Sequence, residues 1–428
     1  MIGIGRHVPG NDWSVLDGMW PEVKPRVSVV VAHFEQPDDL RRTLAALRRQ
    51  SYPRELVEIV VVDDGSATPP TVPDDVVLVR QADEGFRLAA ARNRGAAAAT
   101  GEILCFLDAD CAPEPRYLEE LARLPSLSSD VVTVGRRRHA VLDGLPLDAP
   151  LDRLPDEVLL GDPSWLENAY ARSHDLLDAD ARSYRYLIGA VLCCRADFYR
   201  ETGGFDESFT TYGGEDWDWA WRCWSLGAVL AHVPAAVAWH NGPDAAARDR
   251  DPAAVNAETR RMEERIPIGG SRPHALVPGM TDVTVHLHGA MSATQALISI
   301  DSILRQLPTA RVIVADTTAV EGISDPRVGT DGAPSASPYR LDVHAPVRIE
   351  TAAPLRRLLE ECGEGDHGSL RLIDDGGVLL TLTSARVLAR QRRRGADAFP
   401  DRTRPADGLA RRLRASEPSL AAYYGDWD

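Results

Sequence analysis

The chain has 428 residues, too many for one ordinary hydrophobic core, so two domains are expected. Its 48 basic and 64 acidic residues leave a net charge of −16. That balance excludes sequence-independent nucleic-acid binding and makes an anionic ligand hard to hold without a metal ion or local arginines.

Residues 1–24 are polar and proline-punctuated and read as an arm. Val27–Ala32 is a β-branched run of strand length, followed by a helix start at Pro37-Asp38-Asp39 with Leu40, Leu44 and Leu47 at helical spacing. Ser51-Tyr52-Pro53 stops that helix. A second apolar strand, Val57–Val62, ends in Asp63-Asp64-Gly65-Ser66. Two continuous apolar strands around one helix predict a βαβ unit in a buried parallel sheet. Val76–Val79 is a third short strand, residues 87–99 a helix, and Ile103–Leu107 a fourth strand ending in Asp108-Ala109-Asp110. Pro115 opens another helix. Residues 136–185 show little periodicity, and Tyr186–Leu192 reads as a strand. Gly213-Gly214-Glu215-Asp216 is a glycine turn entering a helix, and Ala228–Val233 and Ala235–His240 read as two strands around Pro234.

A polar stretch over 249–279, with one helix, links this to a C-terminal domain at 280–428. There Val283–Leu287 resembles Val27–Val31, a helix is expected near 293–306, and Val312–Asp316 reads as a strand. Gly368–Asp375 resembles Gly101–Asp108. A degenerate second copy of the first half and an unrelated α/β segment both fit these echoes.

Both acidic clusters stand at carboxyl ends of strands, where open α/β sheets bind ligands. Asp108 and Asp110 can face one divalent cation, Mg²⁺ or Mn²⁺, and the ribose or diphosphate it accompanies. Asp64 can accept a hydrogen bond from a nucleobase imide, and Gly65 allows the sharp turn beside it. Arg92 and Asn93 are candidates to contact base or diphosphate. A carboxylate of Glu215-Asp216 at a helix start can act as general base. His240, after a strand, is a candidate nitrogen ligand that favours Mn²⁺. Trp217, Trp221 and Trp224 fall on one helical face, and Asp218 and Arg222 form an i, i+4 pair.

Taken in order, Val27–Ala32, Asp63–Ser66, Arg92–Gly95, Asp108–Asp110 and Gly213–Asp216 resemble the family 2 glycosyltransferases of the GT-A fold. The Gly-Gly-Glu-Asp segment is similar to that of the galactosyltransferase and chondroitin-polymerase branch. The resemblance covers residues 25–266. It implies a Rossmann-like, mostly parallel catalytic domain over 25–248 and metal-dependent inverting transfer of a hexose, glucose foremost, from a UDP sugar to a hydroxyl. By motif position, Asp64 resembles the uracil contact, Asp108 the ribose or metal contact, Asp110 and His240 the metal ligands, Asp216 the catalytic base and Glu215 a hydroxyl contact. The Gln-x-x-Arg-Trp motif of processive synthases is absent; Gln391–Gly395 comes nearest. The expected acceptor is therefore a small molecule such as an aminocyclitol, held partly by the Trp165 segment, as in antibiotic-tailoring glucosyltransferases. Cell-surface glycan assembly is the alternative, and a non-catalytic nucleotide-sugar scaffold the alternative of another class. A nucleotidyltransferase would open with a glycine-rich loop and lysine where Ala32–Glu35 stands. With no apolar run near the roughly 18–20 residues of a membrane span, no signal-peptide pattern at Met1–His7 and no Cys-x-x-Cys among six cysteines, a cytoplasmic protein without disulfides or structural zinc is expected.

Overall fold

The computed structural model describes residues 5–244, 252–268, 279–315, 317–330, 337–350, 352–365 and 367–425. The chain forms two compact units, residues 1–224 with 228–258, and residues 259–428 with 225–227. Asp316, and much of the expected 249–279 linker, lie outside the described residues.

The first unit opens with residues 5–24, which are packed onto it. Val8 and Leu16 are buried, and the Asn11 amide donates to the carbonyls of Leu176 and Leu230. Then come β1 (Val27–His33), α1 (Pro37–Leu47), β2 (Val57–Asp63), β3 (Val77–Arg80), α2 (Leu88–Ala98), β4 (Ile103–Asp108), β5 (Cys111–Pro113) and α3 (Tyr117–Leu127). They continue into β6 (Val131–Ala140), α4 (Ser164–Arg172), β7 (Val191–Arg195), α5 (Ala196–Glu201), α6 (Glu215–Ser225), β8 (Val229–Asn241) and α7 (Pro252–Glu263). The eight strands make one sheet in the order β3-β2-β1-β4-β7-β6-β8-β5. β1 pairs in parallel with β2 and β4, and β2 with β3, while β7 runs antiparallel between β4 and β6. Every residue of β1 is buried, as its nearly continuous apolar run requires for a strand covered on both faces.

Three expectations are corrected. Tyr186–Leu192 is not one strand: a 3₁₀ turn at Ser183–Tyr186 precedes a later strand, β7. The two runs around Pro234 are one strand, because the ladder with β6 slips at Gly135/Arg136 and so absorbs the residue that cannot donate. The segment 136–185 is more regular than its composition suggests, since β6 runs to Ala140 and α4 lies within it.

The second unit holds β9 (Val283–Leu287), α8 (Ala293–Gln306), β10 (Arg311–Val314), β11 (Val328–Gly329), β12 (Tyr339–Val343), β13 (Val347–Ile349) and α9 (Ala352–Glu364). It continues with β14 (Leu370–Asp374), β15 (Gly377–Ser384), α10 (Ala385–Arg394), β16 (Arg402–Pro405), β17 (Ala410–Arg412) and α11 (Leu420–Tyr424). Ser292 caps α8 with a full capping box, the Gln295 side chain reaching back to the cap's own N–H. The main sheet runs β11-β10-β9-β12-β15-β14-β16. Its first six strands repeat the order β3-β2-β1-β4-β7-β6 of the first unit, with the same parallel and antiparallel senses. The resemblance of Gly368–Asp375 to Gly101–Asp108 is overturned by this topology. β14 is the counterpart of β6, and the counterpart of β4 is β12, which ends without an Asp-x-Asp. A glycine, an apolar run and a closing aspartate occur wherever a strand enters a tight turn, here Asp374–Gly377, so the local match carried no positional information. Among the described residues no helix is long and apolar enough to cross a membrane.

Candidate active site

Parallel strands from the first unit's sheet deliver their carboxyl ends to one cavity of about 590 Å³. Asp64 enters it from the end of β2, Asp108 and Asp110 from the end of β4, and His240 from the end of β8. The neighbouring aspartates 63 and 64 divide their work. Asp63 is fully buried beneath the loop. Against the cost of burial, hydrogen bonds from Ser66, Arg80 and His33 hold its carboxyl below the usual range. Asp64 faces the cavity, where it accepts from the Gln81 amide and, at 3.0 Å, from the Arg87 N–H. Burial is the largest influence on Asp64 and raises its pKa. Gly65 makes the turn with φ +90°, and a Cβ there would lie 2.4 Å from the Asp83 nitrogen, so only glycine fits.

Asp110 and His240 are brought together by the short antiparallel ladder between β5 and β8, in which Cys111 opposes His240. His240 Nε2 lies 3.4 Å from Asp110 Oδ2, and Nδ1–H donates to the Gly242 carbonyl at 3.1 Å. That second bond leaves Nε2 of a neutral imidazole as a lone pair facing a carboxylate oxygen. Two acceptors so placed need a proton or a cation between them. The pair responds accordingly. Despite desolvation, which opposes both changes, Asp110 is held below and His240 above the ordinary value, each by the other. Among the described residues no three His, Cys, Asp or Glu side chains are set to hold a metal by themselves. The donor set of one carboxylate and one imidazole, with Asp108 in the same cavity, would suit a divalent cation that drew its remaining ligands from outside the protein.

A second, smaller cavity of about 200 Å³ adjoins the first and shares Phe86, Leu88, Asp108, Arg137 and Tyr212 with it. Its far wall is the start of α6. Gly213 and Gly214, both with φ near +95°, turn the chain so that Glu215 and Asp216 occupy the first helical turn, where the helix dipole favours carboxylates. Asp216 Oδ2 accepts the Gly189 N–H at 3.0 Å and Oδ1 the Trp217 N–H at 2.8 Å. Burial raises its pKa, which moves a carboxylate towards the range of a useful base. Glu215 is pushed up to about 7, first by burial and then by Asp216. Trp165 of α4 and Trp217 of α6 also line this cavity, with Asp244 and Glu258. Trp221 and Trp224 are buried, and of the tryptophan stripe only Trp217 lines either of these two cavities.

Arg92, 2% exposed, joins the two cavities' carboxylates: Nη2 donates to Asp108 and Nη1 to Glu215, each at 2.9 Å. Both ends of its guanidinium are thereby engaged by protein carboxylates. Asn93 lines neither cavity, and the expected ligand contact is corrected. Its amide donates to the Phe205 carbonyl and Glu207 and accepts from the Tyr199 hydroxyl and the Phe205 N–H. Adjacent helical residues diverge by roughly 100°, so Arg92 and Asn93 cannot both face the end of β4. Sequence reasoning missed Arg137, Tyr212, Asp244 and Glu258. No local signal marked the first, which lies in an arginine run on β6; the others reach the site from loops and from α7.

Residues 28–147 match the family model "Glycosyl transferase family 2", and residues 177–239 match "N-terminal domain of galactosyltransferase". Within the first unit, residues 28–147 thus resemble a family 2 glycosyltransferase domain. Validoxylamine A glucosyltransferase of Streptomyces hygroscopicus subsp. jinggangensis is 32% identical over 231 residues, 48% of this chain and 53% of that protein. Chondroitin synthase of Escherichia coli is 26% identical over 56% of this chain and 38% of its own length. The chain thus spans about half, or less, of these relatives. A solved structure of GalNAc-T7 with UDP, GalNAc and Mn²⁺ overlaps 51% of this chain and 44% of that one, with 23% identity and a TM-score of 0.39. The family 2 match holds Asp64, Asp108 and Asp110, and the galactosyltransferase match holds Glu215 and Asp216 and stops one residue short of His240.

Proposed function

We propose that the first unit catalyses metal-dependent, inverting transfer of a hexose from a UDP sugar to a hydroxyl of a small acceptor. The observation that carries this reading is the pair of adjoining cavities. One presents Asp64, Asp108, Asp110 and His240; the other presents Asp216; Asp108, Arg137 and Tyr212 belong to both. In this reading Asp64 accepts from the uracil imide, Asp108 holds the ribose or the cation, and Asp110 and His240 hold the cation. A divalent cation there would supply Lewis-acid stabilisation of the departing diphosphate.

Asp216 takes the proton of the acceptor hydroxyl as its oxygen attacks the anomeric carbon on the face opposite the leaving group. The new glycosidic bond forms, the bond to the diphosphate oxygen breaks with its electron pair, and UDP departs. Two backbone N–H groups fix the orientation of the Asp216 carboxylate before the acceptor arrives, so little reorganisation is needed during the step. Arg92 ties Asp108 to Glu215 and so fixes the distance between the two cavities.

For the finer assignment we infer glucose as the donor sugar and a polyhydroxylated amine such as validoxylamine A as acceptor, in antibiotic biosynthesis. The relative of 32% identity supports this, as does a smaller cavity lined by Asp216, Asp244 and Glu258 beside Trp165 and Trp217. Carboxylates and indole faces both attract a cationic sugar-like ligand. The similarity to chondroitin synthase favours the second reading, transfer to a cell-surface polysaccharide.

The test is thermal unfolding with UDP, UDP-glucose, UDP-galactose and GDP-mannose, each with Mn²⁺ and with chelator, followed by donor-consumption assays. Stabilisation by UDP compounds only, dependent on the metal, is expected. No shift with any nucleotide would leave a non-catalytic scaffold as the better reading.

A further inference from the structure

The sequence Arg136-Arg137-Arg138 lies on β6, and strand alternation sends its members to opposite faces. Arg136 pairs with Glu167, and Arg138 lies 3.3 Å from Asp162. Arg137 points the other way, into the wall where the two cavities meet. It is the one arginine lining the larger cavity among the described residues, and no lysine lines it. Glu35, Asp64, Asp83, Asp108 and Asp110 line that same cavity. A diphosphate entering it meets five carboxylates and needs cationic partners. Arg92 lines only the smaller cavity, and each of its terminal nitrogens already gives one hydrogen to Asp108 or Glu215.

We propose that Arg137 donates to the diphosphate of the bound nucleotide sugar and stabilises the negative charge that develops on it as the glycosyl bond breaks. This rests on the nucleotide-sugar reading above. Asp244 receives Arg137 Nη2 at 2.8 Å and so holds the guanidinium plane from one side. Among the described residues that is its single hydrogen bond, and its Nε is buried without an acceptor. The side chain is therefore anchored yet keeps donors to spare, which is the arrangement a bidentate phosphate contact requires. Burial opposes its charge, but Cys111, Asp244 and Asp108 beside it outweigh that and raise its pKa, so it stays charged. Arg137 retains its proton during the step; the electron pair of the broken carbon–oxygen bond passes to the diphosphate oxygen it contacts, and the acceptor's proton passes to Asp216.

The experiment compares the unsubstituted full-length chain with Arg137→Gln, Arg137→Lys and the double variant Arg137→Gln/Asp244→Asn. UDP and uridine are titrated calorimetrically with Mn²⁺ present, and kcat is measured with UDP-glucose. The double variant removes the buried carboxylate that Arg137→Gln alone would leave without its partner, and it carries the same measurement if the single variant does not fold. Arg137→Gln is expected to weaken UDP by about 10–100-fold while uridine changes less than about twofold, and to lower kcat by about 10²–10³-fold. Arg137→Lys, which keeps the charge and loses the fork, is expected to fall between. Equal weakening of UDP and uridine would show a structural role and overturn the proposal, as would unchanged UDP binding with unchanged kcat. If the unsubstituted chain binds no UDP, the nucleotide-sugar reading fails and takes this inference with it. If it binds UDP indifferently to Arg137, only this inference fails.

Discussion

The two units build the same six-strand order from different materials. In the first, β1 and β4 are nearly continuous apolar runs buried along their length. In the second, β9 and β12 alternate, with Val283, Val285, Leu287, Leu341 and Val343 in the core and His286, Arg340 and Asp342 between them. The parallel ladders start at Val27↔Ile103 and at Val283↔Tyr339. Counting from those starts, the pair Ala32 and Asp108 corresponds to His288 and His344. The position that supplies a cavity aspartate in one sheet supplies an imidazole in the other, stacked against a second imidazole with ring centroids 5.7 Å apart. The charge is divided as unequally. Residues 259–428 hold 22 arginines and 22 acidic residues, so the net charge of −16 belongs to residues 1–258. Sheet order is thus set by apolar pattern and connection length, whereas the chemistry at the strand ends is free to diverge, because those side chains carry little of the packing.

That contrast can be broken most directly at Asp216. Asp216→Asn is expected to lower kcat by about 10²–10⁴-fold with UDP affinity unchanged; near-normal turnover would place the base elsewhere. At the cation pair, Asp110→Ala or His240→Ala is expected to abolish the metal-dependent part of UDP stabilisation, about 2.7 kcal/mol at a hundred times the dissociation constant. A thermal shift that still disappears with chelator in both variants would remove those ligands. Gly65→Ala should destabilise the first unit by about 1–3 kcal/mol in denaturant titrations, because it combines positive φ with a clash against the Asp83 backbone.

Glu215 tests burial instead of contact. Its pKa, raised from 4.5 to about 7, means that the folded state binds this proton more tightly than the unfolded state. Its protonation therefore favours folding fully below pH 4.5, and that contribution is lost as pH rises to about 7. Over this window Glu215→Gln should flatten the fall in stability by about 1–3 kcal/mol, measured by thermal unfolding at stepped pH. A slope identical to that of the unsubstituted chain would mean that Arg92 holds Glu215 ionised. The smallest effect is expected in the second unit, where Asp374 receives Arg412 through two hydrogen bonds near the surface. Asp374→Ala should cost within about 1 kcal/mol and leave UDP binding and turnover unchanged. Loss of UDP binding there would end the contrast between the two sheets.

The acids of the site were legible because each stands at a position with a local signature. Asp64 and Asp108 follow apolar strand runs, and Asp216 follows two glycines at a helix start. Asn93 was misplaced because a helix turns between neighbours, and which neighbour faces the sheet depends on how α2 packs. Arg137 was not legible because its direction depends on β6 lying between β7 and β8, pairings that join residues about 60 and about 100 apart. The counterpart of Asp108 in the second unit was misread for the same reason: β14 and β12 look alike as strings, and only their partners distinguish them.

By itself, then, the sequence determined the α/β class, most of the strands and helices of the first sheet, and the carboxylates at its strand ends, since hydrophobic periodicity and glycine turns act over a few residues. Tertiary structure alone decided that Arg92 is held between two carboxylates while Arg137 faces the larger cavity, and that the second sheet repeats the order of the first. Those outcomes depend on strand register and helix rotation, which are set by the packing of segments far apart in the chain.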